Sequence, residues 1–186
     1  HIITSKIEHH AVLHTVEQLE MDHKIKVSYV TILSDGTIDY NHLETLLEST
    51  EKTLVSLMHI NNEIGTILTL QKVADLCTSK DALFHTDSVQ SVGHYHLDLK
   101  TIPIDFLAAS AHKFHGPKGI GFVFMRKNSG LKSLIHGGMQ ERGVRAGTES
   151  IHDIVGLDAS LALSYQNLEA EMTHVKALKT YFIQQL

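Results

Sequence analysis

Nearly uninterrupted apolar runs alternate with stretches whose apolar residues return every three or four positions, and this alternation constrains the fold more than any other feature of the chain. Thr53 to His59 (Leu54, Val55, Leu57, Met58) is a continuous apolar run, as expected of a strand covered on both sides; Ala82 to His85 reads as the next strand and Ile104 to Ala109 as a buried one. His1 to Ser5, Lys26 to Leu33 and Ile120 to Arg126 read as further strands, with a turn at Asp35-Gly36. The intervening stretches read as helices. One carries Val12, Leu13, Val16, Leu19 and Met21; a second follows a cap at Asp39 with Leu43, Leu46 and Leu47; a third follows a cap at Thr69 with Leu70, Val73, Ala74, Leu76 and Cys77. A last, long helix follows Ser150-Ile151-His152-Asp153, which resembles a capping box with Asp in place of Glu, and its stripe is Leu168, Met172, Val175, Leu178 and Phe182. The pattern predicts an α/β protein: a three-layer α/β/α arrangement around a mostly parallel sheet.

In such sheets the ligand lies beyond the carboxyl ends of the strands. Those ends supply His9, Asn61-Asn62, Asp87 to Gln90, and Ser110-Ala111-His112-Lys113, the last followed by Gly116-Pro117-Lys118-Gly119-Ile120-Gly121. A lone lysine in such a bend is more often a surface residue. Held among apolar walls at a strand end, however, Lys113 would lose its proton readily, and a neutral amine is what a Schiff-base enzyme needs. Asp87 closes a buried strand, where a carboxylate is costly unless a cation or strong donors meet it. It reads equally as the cap of a helix after Ser88 or as the partner of a protonated pyridine nitrogen. A lysine imine with an aspartate–pyridinium pair is the arrangement that pyridoxal phosphate uses. His9 could stack on a planar ring or simply start a helix, and Asn62 could bond a phenolic oxygen or simply make a turn.

Other features carry less. The segment from Gly116 to Gly121 lacks the Gly-Lys-Ser/Thr ending of a P-loop, and its glycines read as permitting close backbone packing behind the lysine. His10 with His14, and His94 with His96, pair imidazoles, but neither pair has an acidic or cysteine third ligand nearby, so no metal centre is expected. Arg126, Arg142 and Arg145 belong to a basic stretch that could bind anions, although a solvated basic loop is the commoner case. A net charge of −5 gives no electrostatic footprint for nucleic acid or an anionic membrane. No apolar run approaches the roughly 20 residues that span a bilayer. The single cysteine excludes an internal disulfide framework and suits a reducing, cytoplasmic setting.

At this point the motifs resemble a known family. His1-Ile2-Ile3-Thr4-Ser5-Lys6 with Glu8-His9, Met58-His59-Ile60-Asn61-Asn62-Glu63-Ile64-Gly65, His85-Thr86-Asp87-Ser88-Val89-Gln90-Ser91-Val92-Gly93, Ala111-His112-Lys113-Phe114-His115-Gly116-Pro117-Lys118-Gly119-Ile120-Gly121 and Glu141-Arg142-Gly143-Val144-Arg145-Ala146-Gly147-Thr148-Glu149 stand in the order found in cysteine desulfurases. The form resembles the NifS/IscS branch of these enzymes, which are class V aminotransferases of fold type I using pyridoxal 5'-phosphate. The resemblance implies Lys113 as the Schiff-base lysine and the base that moves the substrate's Cα proton, with Asp87 on the pyridine nitrogen. It puts His9 over the ring, with a part in proton transfer; Asn62 and Gln90 at the phenolic oxygen; and Ser110 and His112 on the phosphate. Thr148 would reach the phosphate of a neighbouring subunit, which implies a homodimer.

The implied reaction converts L-cysteine to L-alanine and passes the sulfur, through an enzyme persulfide, to acceptors such as an iron–sulfur scaffold protein. A selenocysteine lyase, another class V lyase or aminotransferase, or a non-catalytic scaffold keeping the fold are the alternatives. Residues 1–150 are expected to form most of the cofactor-binding large domain and 151–186 a long helix leading toward a small domain. The chain reads as a piece of a longer protein. The persulfide cysteine, the first phosphate-binding loop and the substrate-carboxylate arginine are all expected outside it, so the piece alone is not expected to turn over cysteine. Cys77, on a helix face with Leu70 and Val73, reads as a core residue.

Overall fold

Six strands form where the apolar runs stand: β1 (Ile2–Thr4), β2 (Val27–Tyr29), β3 (Leu54–Ser56), β4 (Leu83–Asp87), β5 (Phe106–Ser110) and β6 (Gly121–Met125). The structure, a computed structural model, describes residues 1–127 and 129–186. The chain divides into two units. One comprises His1–Gln90, Asp98–Ala109 and Val123–Lys127, and the other Ser91–Leu97, Ser110–Phe122 and Asn128–Leu186.

The strands join in one sheet in the order β2-β1-β3-β4-β5-β6. The first five run parallel, with Ile2 opposite Val27 and Leu54, Leu54 opposite Leu83, and Asp87 opposite Ala108. The bonds Arg126 N–H to Asp105 O and Ala111 N–H to Ile120 O pair residues that rise on one strand as they fall on the other, so β6 is antiparallel. Mostly parallel pairing follows from the helices that connect the strands: α1 (His10–Met21) between β1 and β2, α2 (Tyr40–Leu46) between β2 and β3, and α3 (Leu70–Ser79) between β3 and β4.

The core of the first unit is built from the strand centres and the apolar helix faces. Ile3, Val55, Phe84 and Leu107 on the strands, and Leu43, Val73, Ala74 and Cys77 on the helices, are all buried. Full burial of a side chain such as Phe84 contributes about 2–3 kcal/mol. Asp39 caps α2 as its position predicts, its carboxylate accepting from the N–H groups of Asn41 and His42. Thr69 stands at the N-cap of α3, but its hydroxyl makes no capping bond.

In the second unit, a 3-10 turn, Ala111–Phe114, follows Ser110, the last residue of β5, and the long helix α4 spans Ile151–Gln184. The expected capping box is not formed. The Ser150 hydroxyl donates to the Asp153 carboxylate at 2.6 Å instead of accepting from the helix backbone. The apolar stripe of α4 is likewise only partly used: Leu168 is buried, whereas Val175, Leu178 and Phe182 are exposed. Its other buried positions are two serines, Ser160 and Ser164.

Candidate active site

In the first unit the carboxyl ends of β1, β3 and β4 carry the candidate residues. After β1 the chain turns at Lys6 and Ile7, and Glu8 is buried while His9 stays exposed. His9 is the N-cap of α1, where its Nδ1 accepts from the Ala11 N–H at 3.1 Å, so the helix-starting reading holds. The bond orients the ring and, in the neutral imidazole, puts the hydrogen on Nε2, which is then a donor. His10 and His14, one turn apart on α1, stack with centroids 4.6 Å apart.

After β3, Asn61 organises the next turn. Its Oδ1 accepts from Glu63 and Ile64 N–H groups at 2.8 and 2.9 Å, and its Nδ2 donates to the Ile7 carbonyl at 2.7 Å. This puts Asn62 on the exposed tip, with its amide on the Glu63 carboxylate at 2.7 Å. His9 and Asn62 are brought together as walls of one cleft of about 280 Å³.

β4 ends on Asp87 itself. Its carbonyl accepts from the His59 N–H at 2.9 Å, and the next N–H, of Ser88, reaches the Ala108 carbonyl at 2.9 Å. The residue is therefore fixed between β3 and β5. It caps no helix, because turns and not a helix follow Ser88, and its Oδ1 takes the Val89 N–H at 3.0 Å. Asp87 is buried, and among the described residues no lysine or arginine pairs with it. Gln90, half-buried, closes this stretch.

Burial sets the charge of the neighbouring groups. The Glu8 carboxyl is pushed up to about 7, chiefly by desolvation; the Met58 N–H and Ser5 hydroxyl offset part of this, and the Asp87 charge adds to it. His59 is pushed down to about 4 by burial, and His85 is lowered by burial with Asp87 working against the shift.

In the second unit, Ser110, His112 and Lys113 lie on one short turn. Ser110 occupies its N-cap position, yet its hydroxyl makes no capping bond. Lys113 is exposed, so the apolar walls expected from the flanking runs do not enclose its amine. The run before the turn buries Leu107 and Ala109, whereas β6 after it leaves Val123 exposed, so only one of the two expected walls is a buried one. What encloses the turn is its backbone. Lys113 O accepts from His94 Nε2 at 2.8 Å, Phe114 O from the Ser164 hydroxyl at 3.4 Å, and Ala111 O from the Gly116 N–H at 2.8 Å. Gly116 does pack closely behind the lysine: a Cβ there would lie 2.8 Å from that of Ala111 and 2.6 Å from Ser160 Oγ. Thr148 is exposed in a loop where Glu141 and Arg142 both hold positive φ, at 46° and 57°.

Several residues escaped sequence reasoning. Glu8 was signalled only by being an acid next to Ile7 at a strand end. His94 offered nothing beyond its histidine neighbour, His96, which instead meets Glu169 at 3.0 Å. Ser160 and Ser164 lie on α4 at four-residue spacing, a small polar stripe overshadowed by the apolar one. Arg126 is not an anion-binding residue of a loop. Its guanidinium donates to the carbonyls of Ile104, Leu99 and Ile102 at 2.7 to 3.0 Å.

With this geometry in hand, comparison with known proteins is specific. The family model for class-V aminotransferases matches residues 1–186. A cysteine desulfurase IscS of Clostridium botulinum is 44% identical over 179 residues, which cover 96% of this chain and 45% of that protein. A solved NifS-like protein superposes with a TM-score of 0.94 at 39% identity, covering 98% of this chain and 50% of its own. A structure described as SspA in complex with cysteine gives 0.81 at 40% identity, over 87% of this chain and 47% of its own. The chain thus spans about half the length of the curated relatives it matches. Matched from end to end by the family model, with the mostly parallel sheet of its solved relatives, the chain belongs to the class-V aminotransferase family.

Proposed function

We propose that the protein containing this chain is a pyridoxal 5'-phosphate-dependent cysteine desulfurase. The observation that carries the reading is Asp87: a buried acid at a strand's carboxyl end, fixed by its backbone on both sides and met by no lysine or arginine among the described residues. A carboxylate so placed calls for a cation, and a protonated pyridine ring supplies one. The residues that each unit offers fit the rest of the group by their chemistry. In the first unit His9 offers a flat ring, and Asn62 and Gln90 offer amides for the phenolic oxygen. In the second, Ser110 and His112 offer a hydroxyl and an imidazole for phosphate, Thr148 a hydroxyl for the phosphate of a second subunit, and Lys113 an amine on a fixed backbone. When bound, the cofactor serves as an electron sink for the substrate's Cα carbanion. Lys113 would take the Cα proton, Asp87 would keep the ring nitrogen protonated, and His9 would take part in proton transfer at the substrate.

Sulfur leaves when a thiol of the protein attacks it, so that L-cysteine and a thiol become L-alanine and a persulfide. That thiol is not Cys77. It is 2% exposed, and burial together with the Asp105 charge pushes it up to about 12, far from a thiolate at neutral pH. Residues 1–186 alone therefore do not turn over cysteine in this reading. A homodimer and a sulfur-accepting scaffold in the cytoplasm complete it.

The test uses the full-length protein. It should bind pyridoxal phosphate with a visible absorption band that sodium borohydride bleaches and that Lys113→Ala lacks, and it should release alanine from cysteine. A full-length protein with neither the band nor alanine release refutes the proposal. Faster release from selenocysteine than from cysteine would reassign the substrate.

A further inference from the structure

Glu8 lies outside the residues that bind or react in the proposed site, yet it is built into the same strand ends. It is 5% exposed and directly precedes His9. Its Oε1 accepts from the Ser5 hydroxyl at 2.8 Å and from the Met58 N–H at 3.1 Å, the second bond joining the chain after β1 to the chain after β3. The Ile7 carbonyl beside it takes the Asn61 amide, which makes a second clip between the same two ends. Oε2 is buried and has no hydrogen-bond partner among the described residues. An ionised carboxylate with one bare oxygen is costly in such a place, and a neutral acid much less so.

The surrounding groups do not neutralise it. Glu8 lines the cleft that holds His9 and Asn62, and also a second cleft of about 360 Å³ bordered by Asp39, Tyr40 and Lys72. Lys72 rests over the Tyr40 ring at 3.9 Å and Lys6 over the Tyr29 ring at 3.6 Å. Asp39 is occupied at the start of α2, and Glu63 holds Asn62. His10 is stacked on His14, and His59 is kept neutral by burial. Asp87 adds only negative charge, and buried acids within range of one another do not both ionise readily.

We propose that Glu8 is a positioning residue of the candidate site: a neutral acid that clips the ends of β1 and β3 together, sets the places of His9 and the Asn61–Asn62 turn, and leaves the negative charge at this edge to Asp87. The proposal rests on reading this edge as cofactor-binding. Glutamine at the same position keeps an acceptor for Ser5 and Met58 and stays neutral, whereas alanine removes the clip.

Infrared spectra of the full-length protein, recorded as pH is varied, test the charge state. The wild type should show the carbonyl stretch of a buried carboxylic acid that disappears with a midpoint near pH 7, and Glu8→Gln should lack it. Pyridoxal-phosphate affinity, read by equilibrium dialysis at pH 6.5, tests positioning. Glu8→Gln should stay within about threefold of wild type and Glu8→Ala should lose about tenfold or more, as expected when a bond worth about 1.4 kcal/mol is removed. No band in the wild type, a band that persists in Glu8→Gln, or wild-type affinity in Glu8→Ala overturns the proposal. If Glu8→Ala does not fold, the band and the glutamine variant decide. A wild type that shows the band but takes up no pyridoxal phosphate refutes the proposed function and not the neutral acid.

Discussion

The imidazole of His94 holds the peptide of Lys113: Nε2 lies 2.8 Å from the lysine's carbonyl oxygen and, since that oxygen can only accept, must carry the proton. The lysine thus has an exposed amine on a backbone tied down by a side chain nineteen positions upstream. His94→Ala should cost about 1 kcal/mol locally, the usual worth of such a bond. The amides from residue 111 to 116 should then exchange with deuterium faster, and a glutamine at position 94, which keeps a donor, should restore protection. Unchanged exchange in His94→Ala would mean that the bond contributes nothing to the turn.

Gly93, immediately before that histidine, sits at φ 80° and against the side chain of Phe114, the residue after the lysine. A Cβ there would come within 2.6 Å of the Phe114 Cβ and 3.3 Å of the Ser164 Cβ. Phe114 is fully buried, so the contact cannot be relieved by moving toward solvent. Gly93→Ala combines backbone strain with overpacking, each worth about 1–3 kcal/mol. Thermal unfolding of the full-length protein should show the loss, and an alanine variant as stable as wild type would contradict the geometry.

Stability against pH should contain two opposing slopes. Glu8 has a folded-state value raised from 4.5 to about 7, so its contribution is fully present below pH 4.5 and is lost as pH rises toward 7. His59 has a value lowered from 6.5 to about 4, so its contribution is present above pH 6.5 and is lost as pH falls toward 4. Between pH 4.5 and 6.5 the two act against each other. Denaturant midpoints should therefore fall more steeply on acidification in Glu8→Gln than in wild type, and less steeply in His59→Gln. Parallel profiles for all three proteins would rule out both assignments.

The strands were legible because a parallel sheet covered on both faces leaves its signature in the strand itself, as Val55 and Phe84 show. Their ends were less so. The run from Thr53 to His59 yields only Leu54–Ser56, while β4 continues past His85 to Asp87 because the Ser88 N–H still finds the Ala108 carbonyl. Apolar spacing on α4 gave its length and not its burial, since Val175 and Phe182 repeat on schedule and stay exposed. Motif order singled out Lys113 and Asp87, but the contacts that fix each come from elsewhere: His94 and Ser164 for the lysine turn, and the backbone of neighbouring strands for Asp87. Such contacts depend on which segments meet in space, and no residue spacing records that.

Arg126 shows the same limit and supports a last prediction. By sequence it belongs to a basic stretch; in the structure Nε donates to Ile104 O at 2.7 Å, and Nη2 to Leu99 O at 2.9 Å and Ile102 O at 3.0 Å. The guanidinium thereby fastens the segment that leads into β5. A lysine has one compact ammonium on a flexible stem and cannot reproduce this planar fork. Losing charge-assisted bonds to carbonyls that remain in place should destabilise Arg126→Lys by about 2 kcal/mol. Because the partners are carbonyl dipoles and not exposed ions, the loss should be nearly the same at low and high salt, unlike that of a surface ion pair. Denaturation of wild type and Arg126→Lys at two ionic strengths reads both quantities. A difference that vanishes at high salt would return Arg126 to the role of a solvated surface charge.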